Sequence, residues 1–258
     1  MADGASLALI GGAFGAVIGS FLNVCIVRLP AEQSVVRPRS RCPKCRHQLA
    51  WYDNIPVVSW LLLRGACRQC RQRISPLYPL VELAVALIWA WMAVRHGLGL
   101  DGLKGALFGT LLIGIALTDA REYIIPDEFT LGGLVAGLLF AAAAGAGGLL
   151  QAAIGAAAGF GLLWVVGRAG TWFLKEDAMG GGDIKMMAMV GAFVGWQGVL
   201  LTVFLGALAG TSIFVPLALM GRKRLVPFGV FLAIGAAITY LVGPAILGWY
   251  RGFFQAGA

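Results

Sequence analysis

Two aspartates carry the chemistry that this chain most needs to explain. Asp119 opens the run Asp119-Ala120-Arg121-Glu122-Tyr123-Ile124-Ile125-Pro126-Asp127, and Asp183 closes Gly180-Gly181-Gly182-Asp183. Each sits at the end of an apolar segment, and an ionised carboxylate at mid-bilayer costs about 3 kcal/mol on insertion scales. A chain that keeps two such groups is expected to use them together. When like charges lie close, one pKa rises and the other falls, so the pair holds one ionised base and one neutral acid. The base draws a proton from water, the water attacks an amide carbonyl, and the acid protonates the oxyanion and then the leaving amine. The expectation is a membrane-embedded aspartyl protease with Asp119 and Asp183 as its catalytic pair. Which is acid and which is base stays open, because the pair titrates as a unit.

The flanking residues fit that use. Pro126 disfavours helix at Ile125 and is expected to end any helix that runs past Asp119. Gly180-Gly181-Gly182 permits positive φ and the close approach of an extended substrate chain. The plainer alternatives are a flexible connector for the glycines and an N-cap role for Asp183 on a helix that starts at Ile184. Lys185 is expected to contact headgroups or to bias the charge of the pair. Glu122, Asp127, Glu128, Glu176 and Asp177 are expected in solvated cytosolic loops.

The second cluster is Cys42-Pro43-Lys44-Cys45 followed, after 21 residues, by Cys67-Arg68-Gln69-Cys70. Two Cys-x-x-Cys knuckles in tandem can supply four thiolates to one tetrahedral zinc. Disulfides are the alternative, disfavoured if the loop faces a reducing compartment. A closed four-thiolate site leaves no position for water, so such a zinc is structural and folds a loop too polar to build its own core. Lys44, Arg46, Arg68, Arg71 and Arg73 offset its negative charge. Cys25 is expected to be a small buried apolar residue. His47 could replace a cysteine but suits the surface, and His96 has no evident partner.

The elements that must position these residues are membrane spans. The chain of 258 residues is 59% hydrophobic and 12% charged, with 38 glycines. The stretch from Leu7 to Leu29 is too long for a signal-peptide core and has no basic region in front of it. Further spans are expected at 77–94, 103–118, 129–146, 149–166, 184–196, 198–220 and 226–249. The fold class is thus an all-α polytopic membrane protein of about eight transmembrane helices, with a cytosolic zinc-binding loop between the first two. Residues 1–29 form the first span, 30–76 the tetracysteine domain, and 77–258 the membrane-embedded protease domain. If the spans alternate, seventeen of the 20 basic residues fall on one face, including Arg222-Lys223-Arg224. That face is expected in the cytoplasm, with both termini outside. The net charge of +8 then reports topology and attraction to anionic lipid, and no nucleic acid is expected. A transporter or channel is the rival class; no inverted repeat favours it.

Taken in order, several motifs resemble the type IV prepilin peptidases, the bifunctional leader peptidases and N-methyltransferases of type IV pilus and type II secretion systems. They are Gly19-Ser20-Phe21-Leu22-Asn23-Val24 with Arg28-Leu29-Pro30, the tetracysteine loop, Pro56-Val57-Val58-Ser59-Trp60-Leu61 with Arg64-Gly65, Ser75-Pro76-Leu77-Tyr78-Pro79-Leu80-Val81-Glu82, Asp119 to Asp127, and Met179-Gly180-Gly181-Gly182-Asp183-Ile184-Lys185. The resemblance implies a bacterial inner-membrane enzyme whose active site faces the cytoplasm. Its substrates would be prepilins or pseudopilins with basic leaders, cut after a glycine and methylated at the new N-terminus with S-adenosylmethionine. It also implicates Gly65 and Glu82 in methyl transfer. The residues alone do not reach that activity, since no Gly-rich βαβ signature is present.

Overall fold

Glycines spaced by four build the first helix pair. In the computed structural model, which describes residues 3–175, 179–220 and 226–255, α1 (Gly4–Arg28) packs along α3 (Leu77–His96). Gly11, Gly15 and Gly19 face Trp89, Ala86 and Glu82 so closely that any Cβ would meet α3 within 3 Å. Small residues on one stripe let backbones approach where lipid supplies no hydrophobic drive. Asp3 caps α1 by accepting the Ser6 N–H at 2.7 Å. Between these helices lie the short helix α2 (Val58–Leu62) and a 3-10 turn, Trp51–Asn54.

α4 (Leu100–Glu122) follows, then α5 (Asp127–Ala143), α6 (Ala146–Leu174), α7 (Gly181–Leu219) and α8 (Phe228–Gln255). Two compact units divide the chain, Met1–Gly114 and Ile115–Ala258. In the second, α7 packs on α5, α6 and α8. Gly155-Ala156-Ala157-Ala158-Gly159 on α6 meets the backbone of Gly191 and Met187 on α7, the same four-residue stripe as in α1. Met186, Met187, Met189 and Val190 are wholly buried there.

The expected all-α architecture is found: among the described residues the only β pairings are two isolated bridges, Arg41 with Gln48 and Ala66 with Arg73. Among the described residues six helices, α1, α3, α4, α6, α7 and α8, are long and apolar enough to cross a membrane. α5, expected as a span, has 17 residues and rises about 25 Å, somewhat less than a hydrocarbon core. The expected spans 184–196 and 198–220 fall on two helical arms that meet at Gly195 (φ 72, ψ 173). Only glycine takes that conformation without strain, so the break falls there and splits α7 into arms 181–194 and 196–219. The first lies along α6, and Gly198, Thr202 and Gly206 of the second meet Thr239, Gly235 and Leu232 of α8 in antiparallel order. Glu176, Asp177 and Arg222-Lys223-Arg224 lie outside the described residues.

Candidate active site

Asp119 lies three residues from the end of α4 and is 6% exposed. The helix stops at Glu122 because Tyr123 turns into the left-handed region (φ 55), three residues ahead of the proline expected to end it. Pro126 instead stands at the N-cap of α5. Asp119 Oδ2 accepts the backbone N–H of Val230 at 3.1 Å and that of Gly229. Those groups belong to the first turn of α8, where negative charge is favoured.

Asp183 sits in the first turn of α7, which begins at Gly181. It therefore lies inside the helix and does not cap one starting at Ile184. Its Oδ1 is buried and has no hydrogen-bond partner, and the two carboxylates are close enough to interact electrostatically. None of Gly180, Gly181 and Gly182 has positive φ. Gly182 is small for another reason: a Cβ there would lie 2.9 Å from Ile125 Cβ. A Cβ on Gly229 would meet Ile125 Cδ1 at 2.7 Å and Asp119 Oδ2 at 2.9 Å. Ile125 thus wedges the Asp119 loop against both the glycine run and α8.

Lys185 reaches across to Asp127, with Nζ 2.7 Å from each carboxylate oxygen. It pairs with protein, where headgroup contact or an influence on the aspartates was expected, and it ties the start of α7 to the start of α5. Sequence reasoning missed Gly229, Val230 and Ile125. The available cue was Val226-Pro227-Phe228-Gly229, a proline and a glycine at the head of the last apolar segment.

The four cysteines of the loop come together with all donor atoms within 4.8 Å of one another. Cys42 Sγ is 3.8 Å from Cys70 Sγ, and Cys45 Sγ is 4.0 Å from Cys67 Sγ. A tetrahedron of sulfurs with 2.3 Å metal bonds has edges of about 3.8 Å, so the donor set fits zinc. None of the five cysteines is in a disulfide, and Cys25 is buried in α1 as expected. The two knuckles share one backbone design. Cys42 N–H donates to His47 and accepts, through its carbonyl, from Arg46; Cys67 does the same with Gln72 and Arg71. Arg46 and Arg71 both have positive φ, 57 and 56, which curls each chain around its thiolates. The Cys45 backbone N–H pulls the Cys42 thiol down to about 6, so Cys42 is ready as a thiolate at neutral pH. Arg68 grips Asp53 with two nitrogens at 2.6 to 3.2 Å and lies over the Tyr52 ring, anchoring the second knuckle to the 3-10 turn.

Gly65 and Glu82 lie at the two ends of α2. Gly65 (φ 68) presses on the Trp60 ring, where a Cβ would stand 2.9 Å from Cζ2, and its carbonyl accepts the Ile74 N–H at 2.7 Å. It closes α2 onto the second knuckle. Glu82 is buried; Oε2 accepts the Val57 N–H at 2.6 Å, and the carboxylate also accepts from the Ser20 hydroxyl.

Comparison with known proteins adds a family. Residues 13–96 match the bacterial Peptidase A24 N-terminal domain, and residues 106–215 match the type IV leader peptidase family. A prepilin leader peptidase/N-methyltransferase of Aeromonas hydrophila is 37% identical over 92% of this chain and 91% of its own length. One from Stutzerimonas stutzeri is 34% identical over 93% and 92%. One from Myxococcus xanthus strain DK1622 is 39% identical over 83% of this chain, an alignment that covers 63% of that protein. No solved structure matches. With two consecutive family domains matched and relatives aligned over nearly its whole length, the chain belongs to the type IV leader peptidase family.

Proposed function

We propose that this chain is a bifunctional enzyme of the bacterial inner membrane. It cleaves the leader from prepilins or pseudopilins with Asp119 and Asp183 and N-methylates the new terminus with S-adenosylmethionine. The observation that carries the peptidase assignment is the meeting of two carboxylates in unlike surroundings. Asp119 faces two N–H donors, which stabilise its charge, whereas Asp183 keeps a buried oxygen without a partner. On that asymmetry Asp119 is the base that accepts the proton of the attacking water, and Asp183 is the neutral acid that donates to the carbonyl oxygen and then the departing amine.

The methyltransferase assignment draws on the relatives' names and assigns Gly65 and Glu82 to methyl transfer. S-adenosylmethionine supplies an electrophilic methyl group; Glu82, a buried carboxylate at the loop's border, holds the incoming terminal amine. Cys42, Cys45, Cys67 and Cys70 hold one structural zinc. In this reading residues 1–29 are the first span, 30–76 the zinc domain and 77–258 the protease domain, with the loop and both aspartates on the cytoplasmic side and both termini outside. Purified protein incubated with candidate prepilins, with and without S-adenosylmethionine, gives the test by product mass. Loss of the leader and a gain of one methyl are expected. Asp119→Asn and Asp183→Asn each abolish cutting yet still methylate a peptide supplied with a free N-terminus, and their combination costs no more than either alone. Cleavage by either single variant at near wild-type rate rejects the dyad.

A further inference from the structure

The loop unit holds a cleft that neither the dyad nor the zinc site uses. It has a volume of about 420 Å³ and lies between one end of α1 and loop segments 35–40 and 49–56. That is within the range of sites for ligands of drug size. Arg28 and Arg39 line it and no acid does, which suits an occupant with an anionic end. Arg28 spends a single nitrogen on the Ser34 carbonyl, at 2.9 Å, which leaves its remaining donors for a ligand. Trp51, also in the lining, is 74% exposed. Tyr52 packs on it edge to face and is itself under Arg68, so the indole offers a braced stacking surface. Asn54 adds a donor and an acceptor. Ser20 lines the cleft and hydrogen-bonds Glu82, which places a carboxylate beneath its floor.

An occupant with a carboxylate, a flat heterocycle and a positive centre matches arginines, indole and buried glutamate together. We infer that this cleft is the binding site for S-adenosylmethionine, with Arg28 and Arg39 on its carboxylate, Trp51 on its adenine, and Glu82 as the counter-charge to its sulfonium. The inference deepens the methyltransferase assignment above and depends on it. In the transfer, the amine lone pair forms the new N–C bond, the S–C bond breaks with its electrons left on sulfur, and the amine proton passes to Glu82 or water. A phospholipid headgroup would also satisfy the two arginines, but it has no use for the indole and is repelled by the glutamate.

The test measures binding of S-adenosylhomocysteine to the full chain in nanodiscs of phosphatidylcholine or phosphatidylglycerol, with zinc content recorded for every variant. Wild type is expected to bind equally in both lipids, and Trp51→Ala and Arg39→Gln to weaken binding at least about tenfold with zinc retained. Ultraviolet crosslinking of labelled donor to wild type should modify the peptide containing Trp51. Affinity within twofold of wild type in both variants, or an adduct confined to another segment, overturns the cleft assignment while leaving the methyltransferase intact. Binding that phosphatidylglycerol abolishes and Trp51→Ala leaves unchanged gives the arginines to lipid and overturns it too. A wild-type chain that neither binds S-adenosylhomocysteine nor methylates fails at the earlier step, and sinks the enzyme assignment itself.

Discussion

At Gly229 a single methyl group decides whether Asp119 keeps its place. A Cβ there would meet the carboxylate and Ile125 within 3 Å, and neither can retreat, one being in a buried helix end and the other wedged against Gly182. Gly229→Ala is expected to lower the cleavage rate constant by about a hundredfold, the cost of an ångström-scale misplacement of a catalytic group. Substrate KM and methylation should stay within a factor of two. Equal loss of both activities would mean general misfolding. Residue types were readable at Asp119, Asp183 and the four cysteines, because acids in apolar surroundings and paired thiols are rare enough to demand a purpose. Gly229 and Val230 were not readable. Val230 offers Asp119 only its backbone N–H, which any residue but proline supplies, and it does so across 111 positions.

The Lys185–Asp127 pair acts between elements. Both partners are about half exposed, and such a pair contributes no more than about 1 kcal/mol to stability. Its value is positional: it fixes the first turn of α7, which carries Asp183, against the head of α5. Lys185→Ala and Asp127→Asn are each expected to slow cleavage several-fold with little change in melting temperature, and the charge-exchanged double variant Lys185→Asp/Asp127→Lys to recover most of it. Failure of the exchange to recover activity would assign Lys185 another role. In the loop, about one zinc per chain is expected from elemental analysis. Cys42→Ser/Cys45→Ser should lose it together with methylation, whereas Cys25→Ser should keep both. Helix content was legible from hydropathy alone. The connection at Gly195-Trp196-Gln197-Gly198 was legible too, as a pair of glycines between two apolar segments, and its break falls on the single non-helical residue Gly195.

On the scale of the whole chain, charge asymmetry is expected to set orientation. The basic loop, the Asp119 loop and the start of α7 are expected on the cytoplasmic side. Single cysteines introduced at Arg39 or Glu122 in a chain freed of other reactive thiols should react with a membrane-impermeant maleimide in inverted vesicles and not in intact spheroplasts. A cysteine at His96 should show the opposite pattern. Labelling of both positions from one side would force a different count of crossings. That count turns on α5, which is marginal in length, and on the break at Gly195 between the two arms of α7.

On the proposed dyad, the bond from Val230 to Asp119 also sets when the enzyme is expected first to act. Both aspartates leave the ribosome well before residue 229. A nascent chain at that stage holds its two acids without the amide donors that steady one of them. Hydrolytic competence therefore arrives with the last helix, so a partly synthesised chain is spared from cutting its neighbours during biogenesis.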